Sequence, residues 1–177
     1  MKALSIRQPW AWAILHAGKR IENRERKDGR MPSMCSHRGP LLIHAAAGLT
    51  RAEFFAASSF MCDAGLADRP GSGKPTAIPL SWKSSVLDRG GIVGVCNVVG
   101  HIEPTGMVTV GGFDMTEPLV LDTRWHIDGS YGLVLADVRP LPFVPFKGAL
   151  GFFEVPDSLV PEAFRGVDSA ARRGKGG

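Results

Sequence analysis

The stretch that most constrains the fold is residues 4–24, LSIRQPWAWAILHAGKRIENR, where a proline and a glycine bracket a short apolar helix. Pro9 suits the first position of a helix because its φ is fixed and its missing N–H has no partner there. Gly18 suits the position just after a helix ends. The stretch therefore predicts a strand over residues 3–6, a helix over 9–17 and a strand over 21–24.

Three charged residues, Lys19, Glu22 and Arg24, follow this helix directly. Glu22 and Arg24 are two residues apart on the predicted strand, so they share one face at a spacing of about 6.5 Å. Lys19 lies in the preceding turn and can reach either face. These three side chains are the first candidates for a polar site beside the surface on which the helix packs.

The rest of the chain predicts several short strands separated by turn residues, a pattern typical of a small barrel. A second helix is expected from the capping box of Thr50 and Glu53 to about residue 63, and a short one over residues 80–87. The remaining strands are predicted over residues 41–45, 92–102, 107–110, 119–121, 131–138 and 150–155. The fold class is therefore α+β.

The length of 177 residues suits one domain, which we place at residues 1–160. Residues 161–177 form a basic tail that we expect to be disordered. No apolar run reaches the roughly 18 residues needed to span a bilayer, and the first ten residues turn polar too early for a signal peptide. We therefore expect no membrane partner.

The cysteines Cys35, Cys62 and Cys96 are odd in number and far apart, which argues against a disulfide framework. They favour a reducing compartment, and hence a cytoplasmic location. Cys35, His37 and His44 lack both a C-x-x-C pair and a fourth ligand, so we predict no metal site and no cofactor.

The net charge of +4 is unevenly distributed along the chain. Residues 19–38 hold seven basic and three acidic side chains, and residues 165–177 hold four and one. Local positive charge is expected of a surface that binds a polyanion. A solvated loop and a basic tail would give the same pattern; we favour phosphate contact because the first block adjoins Lys19.

The motif G-x-K-x-x-E-x-R, formed by Gly18, Lys19, Glu22 and Arg24, resembles that of the ASCH family of the PUA-like superfamily. The preceding S-x-x-Q-P-W is similar to the branch that includes the C-terminal domain of activating signal cointegrator 1. The blocks GPLLIHA, GGIVGV, YGLVL and VPFKGALGFFEV follow in the order expected of that branch, so the resemblance spans residues 1 to about 156.

The resemblance implies a PUA-like small β-barrel with flanking α-helices, and a cleft that binds RNA, DNA or a modified nucleobase. Lys19, Arg24 and the loop over residues 26–38 would meet phosphate, and an aromatic side chain would stack on a base. Trp125 lies in a polar context, TRWHIDGSYG, which favours exposure near the pocket at least as much as burial. The other expected binding residues are Ser5, Gln8, Trp10, His44, Tyr131 and Lys147. For Trp10, Gln8 and His44 a purely structural role is the commoner alternative.

The resemblance also implies an alternative, an amidohydrolase acting on N4-acylcytidine-type nucleosides. Lys19 matches the nucleophile or proton-transfer group of such amidases, and Glu22 would act as the base or hold Lys19 in place. The amidase pattern has threonine at the position of Glu22 and a later glutamate; Glu103, Glu117, Asp122 and Asp128 are all open candidates for the latter. A metal-independent ribonuclease is a further possibility, and a protein-interaction adaptor a more distant one.

Overall fold

A computed structural model describes residues 1–25, 31–74, 76–111 and 118–162. The basic part of the predicted loop at residues 26–30, the candidate Glu117 and nearly all of the predicted tail lie outside these described residues. Among the residues that are described, no helix combines the length and the apolar character needed to cross a membrane.

The described residues form one curled, mixed sheet with two α-helices, which confirms the predicted α+β small-barrel class. The strands follow the order β2-β6-β4-β3-β1-β7, and β5 pairs with β4. Strands β1 and β3 are parallel, whereas the other strand pairings are antiparallel. The strands are β1 Lys2–Ile6, β2 Ile21–Arg24, β3 Gly39–Ala45, β4 Gly91–Ile102, β5 Val108–Val110, β6 Tyr131–Pro145 and β7 Phe152–Glu154.

The sheet curls around its central strands β3 and β4. All seven residues of β3 are buried, and β4 is buried along most of its length. The pairing of β4 with β6 shifts register between Ile92 and Gly94, between Val95 and Asn97, and between Val98 and Gly100. Such irregularities bend a strand and increase its twist, which is how an open sheet curls towards a barrel.

The first helix, α1 at Trp10–His16, packs its apolar side on the sheet, and Ala11, Trp12, Ala13 and Ile14 are buried. Gly18 takes a φ of +72°, the left-handed conformation expected after a helix end. The N–H of Lys19 then donates to the carbonyl of Ala13 at 3.1 Å, so the chain turns sharply into β2. The proline and glycine signals thus mark the correct element.

The second helix, α2 at Arg51–Asp63, begins with the predicted capping box. Thr50 accepts a hydrogen bond from the N–H of Glu53 at 3.2 Å, and Glu53 accepts one from the N–H of Thr50 at 2.8 Å. The Glu53 carboxylate also binds Arg7, which follows β1, so the helix start is tied to the sheet.

Two predicted elements are wrong. Residues 80–87 are turns rather than a helix, and residues 119–121 form no strand. Leu80 is 78% exposed and Val120 80%, whereas Leu87 is buried and Trp82, Leu119 and Leu121 pack against the core. These segments therefore contact the core through individual side chains rather than through a regular element. Strand β6 instead continues past the predicted end at residue 138, because Val144 and Pro145 pair with the start of β4.

Gly94 provides a test of the packing between α1 and the sheet. A Cβ atom there would lie 2.5 Å from Leu15 Cδ2 and 2.9 Å from the carbonyl oxygen of Arg139. We expect Gly94→Ala to lower the free energy of unfolding by about 1–3 kcal/mol through overpacking, measured by denaturant unfolding. Gly48→Ala is the matched control, because its Cβ would meet nothing within 4 Å. Equal effects of the two substitutions would contradict this packing.

Candidate functional site

The turn between α1 and β2 places a lysine and a glutamate inside the protein. The Lys19 side chain is 2% exposed and that of Glu22 9% exposed. Lys19 Nζ donates to Glu22 Oε2 at 2.9 Å and also to the carbonyl oxygen of Ile21. The buried ammonium is therefore compensated by one carboxylate and one carbonyl, as a charge removed from water requires.

Arg24 extends this pair into a network of three charges. Its Nη2 lies 3.0 Å from Glu22 Oε1 and donates to the carbonyl oxygen of Ser5 at 3.2 Å. Each carboxylate oxygen of Glu22 thus faces a different cation. Within the part of the chain that is described, Nε of Arg24 is a buried donor without a hydrogen-bond partner.

Burial lowers the pKa of the Lys19 ammonium below its ordinary value. The charge and hydrogen bond of Glu22 oppose this shift, and the positive charge of Arg24 adds to it. The effect of desolvation on the pKa of Lys19 is therefore larger than the opposing effect of the ion pair with Glu22. A lysine in such surroundings is closer to its neutral form than a surface lysine.

This network forms one wall of a cavity of about 210 Å³. Nζ of Lys19 also lies 5.7 Å from the centre of the half-buried Trp10 ring, within cation–π range. The cavity is lined by Trp10, Lys19, Glu22, Asn23, Glu25, Ile127 and Ser130.

Asn23 holds a second part of the cavity wall in place. Its side-chain amide donates to the carbonyl oxygen of Trp125 at 2.8 Å and accepts from the N–H of Ile127 at 3.0 Å. The Ser130 hydroxyl lies 3.3 Å from the same amide oxygen. One side chain of β2 therefore holds the loop before β6 against the cavity.

A second, larger cavity of about 500 Å³ adjoins the first. Asn23 and Glu25 line both cavities, and Arg24 lines the larger one. The rest of its wall consists of Met31, Pro32, Ser33, Met34, Leu150 and Gly151.

Ser5 and His44, both expected at the site, form a partly buried pair with each other, in which His44 is buried. His44 Nε2 lies 2.9 Å from the carbonyl oxygen of Phe146, which can only accept, so this nitrogen carries the proton. In a neutral ring, the Ser5 hydroxyl then donates to His44 Nδ1 at 3.1 Å. Gly148 lies directly on the pair, since a Cβ there would be 2.5 Å from the Ser5 Oγ. Neither residue lines the two cavities described above.

The other predicted binding residues differ in their burial, and they lie outside the linings of the two cavities. Gln8 is buried, donates to the carbonyl oxygen of Asp88 and accepts from the N–H of Trp12. Tyr131 is half-buried at the start of β6, and Lys147 is exposed away from both cavities. Of the two alternatives left open for Trp125, the structure has burial: the indole is 2% exposed in the core, and Asn23 donates to its backbone carbonyl oxygen.

Sequence analysis missed four lining residues of the smaller cavity: Asn23, Glu25, Ile127 and Ser130. Asn23 stands between two recognised motif positions, which was an available signal. Ile127 and Ser130 come close only through a hydrogen bond that spans more than a hundred residues, so no local pattern indicates them.

The acidic candidates for a second carboxylate also differ in position. Asp122 is bound by Arg124, whose hydrogen bonds lower the pKa of that carboxyl. Asp128 is exposed and lies in the loop between the lining residues Ile127 and Ser130. Glu103 lies in the turn that follows β4. The described residues contain no group of three side chains suited to hold a metal ion.

Comparison with known families gives one match. The model of the ASCH domain matches residues 4–117, which is more than half of the chain and extends from β1 past β5. This match confirms the resemblance to the ASCH family drawn from the motifs. A comparison with curated proteins found no match.

The buried ion pair gives a stability prediction. We expect Lys19→Met to lower the free energy of unfolding by about 3–5 kcal/mol, because it leaves Glu22 buried with one cation fewer. Lys74→Met is the control, because the Lys74–Asp68 pair lies at the surface and its loss should change stability far less. Denaturant unfolding measures both, and comparable losses would contradict a compensated buried charge at Lys19.

Proposed function

This chain belongs to the ASCH domain family, and from that premise we propose that it binds single-stranded RNA or DNA, or a modified nucleobase, in the cavity beside Lys19. The observation that carries the proposal is a buried carboxylate, held by two cations, in the wall of a cavity that also contains an aromatic ring. Acceptor groups and aromatic faces are what an unpaired base needs for recognition.

The size of the cavity supports one base rather than a large cofactor. Its 210 Å³ corresponds to roughly seven water molecules at about 30 Å³ each. Larger organic ligands occupy pockets of about 300–1,000 Å³. A single ring system with its exocyclic groups is therefore the ligand of matching scale.

Glu22 supplies the selectivity in this proposal. An ionised carboxylate has about four lone-pair positions, and the contacts to Lys19 and Arg24 use one on each oxygen. The remaining positions can accept hydrogen bonds from an exocyclic amino group, as carboxylates do with cytosine. Because both cations hold the carboxylate in place, it is oriented before the base arrives.

The sequence around the cavity supports contact with phosphate. Residues 26–30, which connect the lining residues Glu25 and Met31 along the chain, include three basic side chains and one acidic. Charge of this sign attracts a nucleic-acid backbone and makes the affinity depend on salt.

Fluorescence anisotropy with labelled single-stranded 12-mers of RNA and DNA, in about 50 mM salt, tests the proposal. We expect binding that weakens as salt rises. Trp10→Leu should weaken it by about 5- to 150-fold, the effect of losing one stacking face. Trp82→Leu is the matched control, since Trp82 packs half-buried on the same core cluster as Trp10 but does not line the cavity. Absence of binding to every strand would refute the binding of single-stranded RNA or DNA.

A second candidate function is an amidohydrolase on N4-acylcytidine-type nucleosides, favoured by the lowered pKa of Lys19. Hydrolysis adds water across the amide: the acyl carbon–nitrogen bond breaks, and the free amino group and a carboxylic acid form. A lysine with a lowered pKa can pass the proton that this exchange requires, and Glu22 lies within hydrogen-bond distance of it.

Incubation with N4-acetylcytidine, followed by mass spectrometry for cytidine, tests this second candidate. We expect cytidine to accumulate with the natural protein and to fall at least a hundredfold with Lys19→Arg, whose guanidinium stays protonated. The Arg20→Lys variant is the control, because Arg20 precedes β2 and does not line the cavity. No cytidine with the natural protein, or full turnover with Lys19→Arg, rejects the amidase.

A further inference from the structure

The two cavities are neighbours with a shared wall, and a ligand that fills one comes next to the other. Asn23 on β2 and Glu25 just after it line both cavities, so the two cavities meet at these residues. We propose, on the basis of the proposed function, that the ligand is a single strand whose two adjacent unpaired nucleotides occupy the two cavities. The smaller cavity takes one base, and the larger one takes the next nucleoside.

The wall of the larger cavity suits the flat face of a base. It is lined by the side chains of Met31, Pro32, Met34 and Leu150. Leu150 is 99% exposed and Met31 46% exposed. Covering exposed apolar groups beside a cavity lowers the free energy of the complex, and the flat face of a base can cover them. Methionine side chains also adapt to rings of different shape.

The charges on the walls favour uncharged bases over phosphate groups inside the cavities. Among the described lining residues, the positive charges of Lys19 and Arg24 are balanced by the negative charges of Glu22 and Glu25. A cluster of phosphates would gain no net attraction there. The phosphodiester between the two nucleotides therefore lies at the rim, where water still solvates it.

Arg24 links the two cavities. It holds Glu22 in the smaller one and lines the larger one, where its planar guanidinium offers a stacking surface. Both bases must leave any duplex to enter, so base-paired strands should compete poorly.

Displacement of a labelled single-stranded 12-mer tests the proposal. Two competitors are compared: a nucleoside 3′-methylphosphate and the corresponding dinucleoside monophosphate. Both are prepared for each of the four bases, in ribose and in deoxyribose form. Both carry one negative charge, so they differ only in the second nucleoside. We expect the dinucleotide to compete about tenfold better or more, the gain from stacking one further base.

Leu150→Ser should reduce that gain to less than threefold while leaving competition by the methylphosphate unchanged. Leu80→Ser is the control, because Leu80 is also exposed but lies outside both cavities. Equal competition by the two ligands, or a gain that survives Leu150→Ser, overturns the second subsite while the proposed function stands. Failure of the 12-mer itself to bind rejects both.

Discussion

The buried ammonium of Lys19 is the constraint on which the geometry of this protein depends. Removing an ammonium from water is opposed by several kcal/mol, so the surrounding chain must supply compensating groups at fixed positions. Glu22 and the carbonyl of Ile21 do so, and both belong to the first two residues of β2. The charge therefore fixes how the turn after α1 enters the sheet, and it orients the carboxylate that faces the cavity.

The same network reaches three strands of the sheet and the residue that follows a fourth. Arg24 on β2 binds both Glu22 and the carbonyl of Ser5 on β1. The Ser5 hydroxyl meets His44 on β3, and the His44 ring reaches the carbonyl of Phe146 just after β6. Successive hydrogen bonds of this kind restrict the movement of the groups they join, because each bond orients the next donor or acceptor.

Sequence periodicity indicated most of the sheet because the central strands are buried on both sides and bounded by glycine or proline. It could not establish that Lys19 and Glu22 converge, since Lys19 lies in a turn, where alternation carries no information about direction. The burial of Trp125 could not be decided from the sequence either: its polar neighbours left exposure and burial open, and the Asn23 amide that binds its backbone is 102 residues away. Long-range hydrogen bonds of this kind leave no local pattern.

The charges outside the two cavities and those on their walls have different consequences for a nucleic-acid ligand. Basic side chains outnumber acidic ones along residues 19–38, yet the described side chains lining the two cavities are balanced. Charge outside the cavities acts over roughly a Debye length, about 8 Å at physiological salt, and attracts any polyanion regardless of sequence. Inside, a neutral wall gives phosphate no advantage, so in the proposed binding mode hydrogen bonding to Glu22 and contact with Trp10 decide which base remains bound. Raising salt should therefore weaken the affinity for all strands alike and preserve the preference among bases.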